Sequence, residues 1–299
     1  MKQPINSPTD LYYIHYGPIP SYLLYSMENS RVFNPTARIF LIGNNRNSAL
    51  DRLDVTLIPF EELPQADHDA FLRTYIHTSS NPEPFERFCF SRWFYLNEAV
   101  KAVRSRFALH LDSDCMMFTD ACSLPGRLLP ERQQCYFGPG GAPQLALFTP
   151  EGIQSLTNLM KEVFTLQYYN DWVNSGHNLN FCDMAVLDYY AKLNPAMVHQ
   201  RIRWPDVVID QTMSLSEGFE VWSGKKTLKQ VTWIEENGHL VPMLKEQNTG
   251  KLISSLALHY KGSRKRYMRP FNRLHDKWFR LKVRRLWLNM AKPINRFKM

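Results

Sequence analysis

The chain has 299 residues, of which 44% are hydrophobic and 21% are charged. This balance excludes a disordered chain, because burying the apolar residues offsets the conformational entropy of folding. The length fits one large α/β domain or two small ones. No apolar run approaches the roughly 18 residues of a membrane-spanning helix, and the first residues, MKQPINSPTD, contain no signal-peptide core. We therefore expect a cytoplasmic protein.

The net charge of +8 is concentrated at the C-terminus. Residues 261–299 contain 14 of the 36 Lys and Arg but only one of the 28 acids, so they carry +13 and residues 1–260 carry −5. A basic tail therefore follows a mildly acidic body.

The cysteines fit neither a disulfide framework nor a zinc knuckle, because their number is odd and no two form a Cys-x-x-Cys pair. We expect reduced, mostly buried thiols at Cys89, Cys115, Cys122, Cys135 and Cys182.

The first part of the chain alternates strands with helices. Apolar runs typical of buried strands lie at residues 11–16, 37–42 and 55–60, and a segment with helical spacing, residues 22–27, separates the first two. This order predicts a parallel sheet with right-handed crossovers.

A long helix is predicted from Phe85 onwards. Its apolar stripe consists of Phe85, Phe88, Cys89, Leu96, Ala99 and Val103. At about 100° per residue, Arg92 falls within this stripe, whereas Arg87 faces solvent. A buried guanidinium needs an anionic partner. That partner is either an Asp of the same sheet or a phosphate of a bound nucleotide.

The middle of the chain contains a glycine-rich loop, a strand and a helix start. Gly138, Gly140 and Gly141 mark the loop, and residues 145–148 read as a strand. Thr149 is a good N-cap for the next helix. The later predicted elements are a helix at 182–193, a hairpin at Asn237-Gly238 between 231–234 and 240–241, and a strand at 252–258.

Two acids follow a predicted strand at residues 107–111. Asp112 and Asp114 stand at its carboxyl end, where ligands gather in open α/β sheets. Carboxylates one residue apart can hold one divalent cation, directly or through water, and the cation can hold a diphosphate. A turn capped by Asp side chains would give the same pattern.

A late block, HYKGSRK, supplies three complementary groups. The imidazole of His259 can complete the coordination of a divalent cation. Gly262 would let the backbone approach a phosphate closely, and Lys265 would neutralise that phosphate. Together with the acid pair and Arg92, these residues indicate a site for a metal-bound nucleotide diphosphate.

FALHLDSDCMMF, preceded by FERFCFSRWFYLNEAV and followed by HYKGSRK, resembles the nucleotide-sugar glycosyltransferases of the GT-A fold. The pattern is most similar to the family of glycogenin and the bacterial lipooligosaccharide galactosyltransferases. That family has a late His-x-x-Gly-x-x-Lys, which His259, Gly262 and Lys265 match. This chain lacks the Trp that often follows the Lys in that family, since Arg266 and Tyr267 stand there. The separation of Arg92 from Asp112 is also longer than the family pattern, so a neighbouring GT-A family also fits.

The resemblance implies an α/β fold with a GT-A-like, Rossmann-type mixed sheet flanked by helices. It further implies that Asp112, Asp114 and His259 hold Mn²⁺ or Mg²⁺ and that Lys265 contacts the diphosphate of a donor, expected to be a UDP-sugar. We assign Arg92, Ser113, Gly140, Gly141 and Gly262 to the donor site as well. The acceptor would be a glycan or a lipid-linked glycan, as in polysaccharide biosynthesis.

The resemblance also indicates Asp183, because GT-A enzymes commonly place an acid near the donor sugar and the acceptor. If catalytic, Asp183 would deprotonate an acceptor hydroxyl or orient the sugar. From the sequence alone it could equally be a helix N-cap. Gly140 and Gly141 could pass close to the sugar or form a plain turn.

Two other functions fit parts of the sequence. An aspartyl-phosphate phosphatase also has Asp-x-Asp after a strand, but it expects Thr or Val where Met116 stands and a later acidic motif where this chain is basic. A nucleic-acid-binding protein would use the basic tail, yet this leaves the acidic body and Arg92 without a purpose. We therefore expect no nucleic-acid partner.

The tail itself predicts a membrane-surface helix. We divide the chain into a catalytic domain, residues 1–265, and a basic amphipathic tail, residues 266–299. Within residues 271–291, apolar side chains including Trp287 recur at helical spacing among Lys and Arg, which suits anionic headgroups. A helix packed on the catalytic domain is the alternative. We expect peripheral attachment to the inner face of a membrane.

Overall fold

The structure is a computed structural model that describes residues 8–131, 133–174, 181–222, 227–236 and 238–269. It confirms the predicted α/β fold, with a mixed sheet flanked by helices. The strands are β1 (Thr9–His15), β2 (Ile39–Gly43), β3 (Val55–Pro59), β4 (Phe107–Leu111), β5 (Cys115–Met117), β6 (Cys135–Gly138), β7 (Ala142–Phe148), β8 (Val198–His199), β9 (Val207–Ile209), β10 (Val221–Trp222), β11 (Leu228–Lys229), β12 (Val231–Glu236), β13 (His239–Lys245) and β14 (Leu252–His259). The helices are α1 (Ser21–Phe33), α2 (Ser48–Arg52), α3 (Ala66–Thr74), α4 (Glu83–Val103), α5 (Leu124–Leu128), α6 (Pro150–Glu162), α7 (Gln167–Asn174) and α8 (Asp183–Leu193).

The large sheet has the order β3-β2-β1-β4-β7-β6-β8. The first four of these strands are parallel, as predicted, whereas β7 is antiparallel to both β4 and β6. The parallel pairing predicted for the first strands and the predicted mixed character of the whole sheet are both confirmed. The antiparallel pairing of β6 with β7 has a local cause, because a 3₁₀ turn of three residues, Pro139–Gly141, joins them and a connection this short allows only antiparallel pairing.

A second sheet, with the order β12-β13-β14-β5, stands beside the first, and β9 pairs with β14. The predicted hairpin at Gly238 is confirmed, because β12 and β13 pair antiparallel on either side of it. Strand β5 is antiparallel to β14, which places Cys115 opposite His259. Asp112 and Asp114 therefore lie where the chain leaves β4 in one sheet and enters β5 in the other.

Helix α4 is oriented differently from the prediction. Phe85 is 57% exposed, while the side chains of Phe90, Trp93 and Phe94 are buried against one face of the large sheet and against neighbouring helices. Because several elements cover α4, a single apolar stripe does not describe it. Helix α6 begins as predicted, with the Thr149 hydroxyl accepting a hydrogen bond from the Gly152 N–H at 3.2 Å.

Gly141 fixes the packing of the β6–β7 turn against the start of α8. A Cβ atom at Gly141 would lie 1.9 Å from the Met184 carbonyl oxygen, whereas a Cβ at Gly140 meets nothing within 4 Å. Both glycines have positive φ, at 72° and 67°. The turn is thus a structural support for α8.

We expect Gly141→Ala to lower the free energy of unfolding by more than about 3 kcal/mol, because it adds a backbone clash to the strain of positive φ. Gly140→Ala, the matched control, should cost only about 1 to 2 kcal/mol of strain. Urea denaturation of both variants measures the difference. Equal costs would contradict the packing role of Gly141.

Among the described residues, no helix is both long and apolar enough to cross a bilayer. The predicted tail helix at 271–291 lies outside the described residues. The boundary at residue 265 stays a prediction.

Candidate functional site

Asp112, Asp114 and His259 meet at the carboxyl end of β4. One ligand atom from each lies within 4.8 Å of the other two. The two acids are brought together by a turn, closed by a hydrogen bond of 2.9 Å from the Cys115 N–H to the Asp112 carbonyl. His259 arrives from the end of β14, and the Tyr260 N–H donates to the Asp114 carbonyl at 2.9 Å. The structure thus unites the three residues that the sequence assigned to a metal.

The imidazole of His259 has a defined orientation. Its Nδ1 donates to the Gln211 carbonyl at 2.7 Å, since a carbonyl can only accept, and its Nε2 lies 3.4 Å from Asp114 Oδ1. Burial lowers the pKa of His259, but the hydrogen bond and negative charge of Asp114 outweigh it and raise the pKa to about 9. Its Nε2 must therefore release a proton before it can bind a cation.

This group of residues fits a hard divalent cation. Two carboxylates and one imidazole nitrogen are a suitable partial ligand set, and they leave coordination positions for substrate oxygens. The bond between Nδ1 and Gln211 directs Nε2 toward the carboxylates, as a partner of a metal-bound imidazole does. Asp112, Asp114 and His259 could therefore hold a cation.

Lys265 and Gly262 lie beside the same acids. Lys265, in the 3₁₀ helix Gly262–Tyr267, places its Nζ 3.2 Å from Asp114 Oδ2 and 4.4 Å from the ring centre of Tyr22. Burial lowers its pKa, but the charge of Asp114 outweighs this and raises it. Gly262 has φ of +64° and open space around a would-be Cβ. A cation and an uncrowded backbone together can receive an anionic group.

Arg92 connects the metal-ligand candidates to α8. Its guanidinium donates to Asp112 Oδ1 at 2.8 Å and to Asp183 Oδ2 at 2.6 Å, and its side chain is only 12% exposed. Although burial acts in the opposite direction, the charge of Arg92 holds the pKa of Asp112 well below its usual range. The sequence predicted either an Asp or a nucleotide phosphate as the partner of Arg92, and in the structure Arg92 pairs with two Asp side chains.

Asp183 is not the N-cap of α8. Cys182 occupies that position, and Asp183 is the first helical residue. Its Oδ2 accepts hydrogen bonds from Arg92 and, at 3.1 Å, from Trp93 Nε1, and the residue is 3% exposed. A capping side chain would bond to its own helix, so the N-cap interpretation is wrong.

Three further residues were assigned to the donor site from the sequence, namely Ser113, Gly140 and Gly141. Ser113 is half-buried at the tip of the Asp112–Asp114 turn. Gly140 and Gly141 form the turn that packs against α8, which favours the plain-turn interpretation.

The sequence analysis missed His110 at the site and did not expect Tyr16 to be exposed. His110, two residues before Asp112 on the same face of β4, is buried, and its Nε2 lies 3.4 Å from Asp112 Oδ1. Burial lowers its pKa, which favours a neutral ring. The sequence did contain a signal for His110, because a His inside an apolar strand that ends at two acids is a candidate site residue. Tyr16, predicted as the end of a buried strand, follows β1 and is 67% exposed at the same edge of the sheet.

No protein-family model matches the sequence, and no curated protein matches it. Two solved structures that resemble the chain are both glycosyltransferases. Mouse xyloside xylosyltransferase 1, in its apo form, is 11% identical with a TM-score of 0.46, over 64% of this chain and 84% of that chain. GlyE of Streptococcus pneumoniae TIGR4 is 13% identical with a TM-score of 0.40, over 65% of this chain and 45% of that chain. At these values the likeness carries no information about the substrates of this chain.

Proposed function

We propose that this chain is a metal-dependent glycosyltransferase. It moves a sugar from a nucleotide-diphosphate sugar, of the UDP class, to a glycan or lipid-linked acceptor. The observation that carries the proposal is the meeting of Asp112, Asp114 and His259 within 4.8 Å, at the sheet edge where α/β proteins bind ligands. The late His-x-x-Gly-x-x-Lys, which resembles the glycogenin family, supports the same function.

Each residue has a role in this proposal. Asp112, Asp114 and His259 hold Mn²⁺ or Mg²⁺, which, when bound, neutralises the charge of the departing diphosphate. Lys265 turns from Asp114 to the diphosphate, and the positive φ of Gly262 brings the backbone near it. Arg92 keeps Asp112 ionised and oriented, and Ser113 lines the donor site.

Nucleotide release from UDP-sugars tests this function. With Mn²⁺ present, we expect the protein to release UDP from at least one UDP-sugar, and EDTA to stop the release. Binding of oligonucleotides that weakens steeply with salt, without any UDP release, would favour the nucleic-acid alternative. Release of phosphate from p-nitrophenyl phosphate would favour the phosphatase alternative.

Asp183 acts, in this proposal, on the sugar or the acceptor and not on the metal. Its carboxylate lies within 4.8 Å of ligand atoms of Glu86 and Cys182, apart from the group of Asp112, Asp114 and His259, and Arg92 pairs with both Asp183 and Asp112. We expect Asp183→Asn to bind Mn²⁺ and UDP normally but to transfer sugar about 10²-fold more slowly. Isothermal titration and steady-state kinetics measure the two effects. Normal turnover would return Asp183 to a purely structural role.

In our proposal the tail, residues 271–291, attaches the enzyme to a membrane surface. A lipid-linked acceptor lies in the bilayer, so an enzyme that uses it has to work at that surface. Each cation near an anionic surface contributes on the order of 1 kcal/mol. The full chain should co-sediment with anionic vesicles, and a chain ending at Arg269 should not. Equal binding of both, or binding of neither, would contradict the membrane role.

A further inference from the structure

One short segment after β9 fixes the position of His259. The Asp210 carboxylate accepts a hydrogen bond from the His259 N–H at 3.1 Å, through Oδ2. The Gln211 carbonyl holds the imidazole, as described above, and the Met213 N–H donates to the His259 carbonyl at 3.0 Å. The main chain and the ring of this candidate ligand are therefore both held from residues 210–213.

A buried lysine in turn fixes that segment. Lys229 Nζ donates to Asp210 Oδ1, to Glu217 Oε2 and, at 3.0 Å, to the Thr212 carbonyl. These contacts use all three donors of an ammonium group. The side chains of Lys229 and Asp210 are both 0% exposed, so neither charge can be solvated by water if the pair separates.

Asp210 therefore joins two interactions in one carboxylate. One oxygen binds the Lys229 ammonium and the other binds the backbone N–H of His259. Because an unpaired buried charge is costly, the pair keeps this carboxylate in place and with it the end of β14. Groups behind a metal ligand commonly set its orientation and the affinity of the site.

We propose that Asp210, held by Lys229, is a positioning residue that presents His259 to the divalent cation. This inference rests on the proposed function, in which His259 is a metal ligand. Asp210 itself does not touch the cation or the substrate. Its replacement should change metal affinity, while replacement of an equally buried carboxylate elsewhere should not.

Titration of the intact protein with Mn²⁺ alone, followed by the electron paramagnetic resonance signal of free Mn²⁺, tests the proposal. Asp210→Asn replaces one of the two carboxylate oxygens by an NH₂ group, which then faces Lys229 or the His259 N–H as a second donor and cannot accept from it. We expect Asp210→Asn to weaken Mn²⁺ binding by about 10- to 100-fold.

The matched control is Asp10→Asn. Asp10 is a buried carboxylate at the start of β1, the opposite end from the site, where it binds Arg38 and Ser105. Its replacement should destabilise the protein and leave Mn²⁺ affinity unchanged. Equal losses of affinity in both variants would show a general effect of destabilisation and would overturn the proposal.

A double variant covers the case in which Asp210→Asn fails to fold. Asp210→Asn combined with Lys229→Gln leaves no buried charge unpaired in this pair, and it should still bind Mn²⁺ more weakly than the wild type. Wild-type affinity in either variant, alongside lost affinity in His259→Ala, overturns the positioning role alone. A wild-type protein that binds no Mn²⁺ contradicts the metal site and this role together.

Discussion

Asp114→Ala should abolish metal-dependent sugar transfer while the protein still folds. Asp114 is the acid that contacts both His259 and Lys265, at 3.4 and 3.2 Å, so its loss removes one of the proposed metal ligands and the partner of the cation that we propose binds phosphate. We expect turnover of the UDP-sugar to fall by at least about 10²-fold, a range typical of lost electrostatic stabilisation. Mn²⁺ binding should be lost in the same variant.

The fold should survive this change for an electrostatic reason. Without Asp114, His259 loses a hydrogen bond and a negative charge that raise its pKa, so its ring can become neutral and leaves no unpaired charge on the imidazole. Circular dichroism and thermal melts of the variant check this expectation.

Asp206→Ala is a matched control for this variant. The side chain of Asp206 is 70% exposed and lies 3.7 Å from Arg127, in a surface ion pair that contributes little. Its turnover should equal that of the wild type. Retained Mn²⁺-dependent turnover in Asp114→Ala would refute the assignment of this acid to the metal site.

Local sequence patterns located the elements of the site well. Residues 107–111 were predicted as a strand with the bounds that β4 has, because apolar residues stop where Asp112 begins. The start of α6 followed from Thr149, whose hydroxyl can satisfy a helix N–H within its own turn. Both features depend on neighbours in the chain, and a sequence shows such neighbours directly.

Contacts between distant parts of the chain were harder to predict. The antiparallel pairing of β5 with β14 brings His259 to Asp114. The chemistry of the residues and the family resemblance suggested that they share a site, but no local pattern predicted this strand pairing. The Asp210–Lys229 pair went unnoticed, because a Lys in an otherwise polar stretch gives no sign of burial. The helical stripe on α4 was misplaced since α4 is covered on several sides, and a wheel diagram assumes one buried side.

Burial of Arg92 was nevertheless predicted, and its contacts explain why the charge is tolerated there. The guanidinium lies between Asp112 and Asp183, so one cation compensates two acids from different elements. The planar guanidinium uses two different nitrogens for the two carboxylates, Nη1 for Asp112 and Nη2 for Asp183. Arg92 thereby fixes the distance between the candidate metal site and the start of α8.

Arg92→Met should therefore be strongly destabilising and should also impair turnover. Methionine fills much of the same volume without charge, so Asp112 and Asp183 lose their shared partner inside the protein. We expect the free energy of unfolding to fall by about 3 to 5 kcal/mol, the range for breaking a buried ion pair on one side. Turnover per folded molecule should fall or the KM for the donor should rise, because Asp112 is no longer held in place.

Two further variants separate the ion pairs from general effects on α4. Arg87→Met, on the same helix, loses a pair with Glu83 in which both side chains are nearly half exposed and a contact with the ring of Tyr75 at 5.8 Å, so it should cost at most about 1 kcal/mol. Adding Asp183→Asn to Arg92→Met removes one of the two orphaned carboxylates and should restore about 1 kcal/mol or more. Urea denaturation of the set measures these differences. If Arg92→Met were as stable as Arg87→Met, the bridging role would be wrong, whereas normal kinetics in a destabilised Arg92→Met would leave Arg92 with a structural role only.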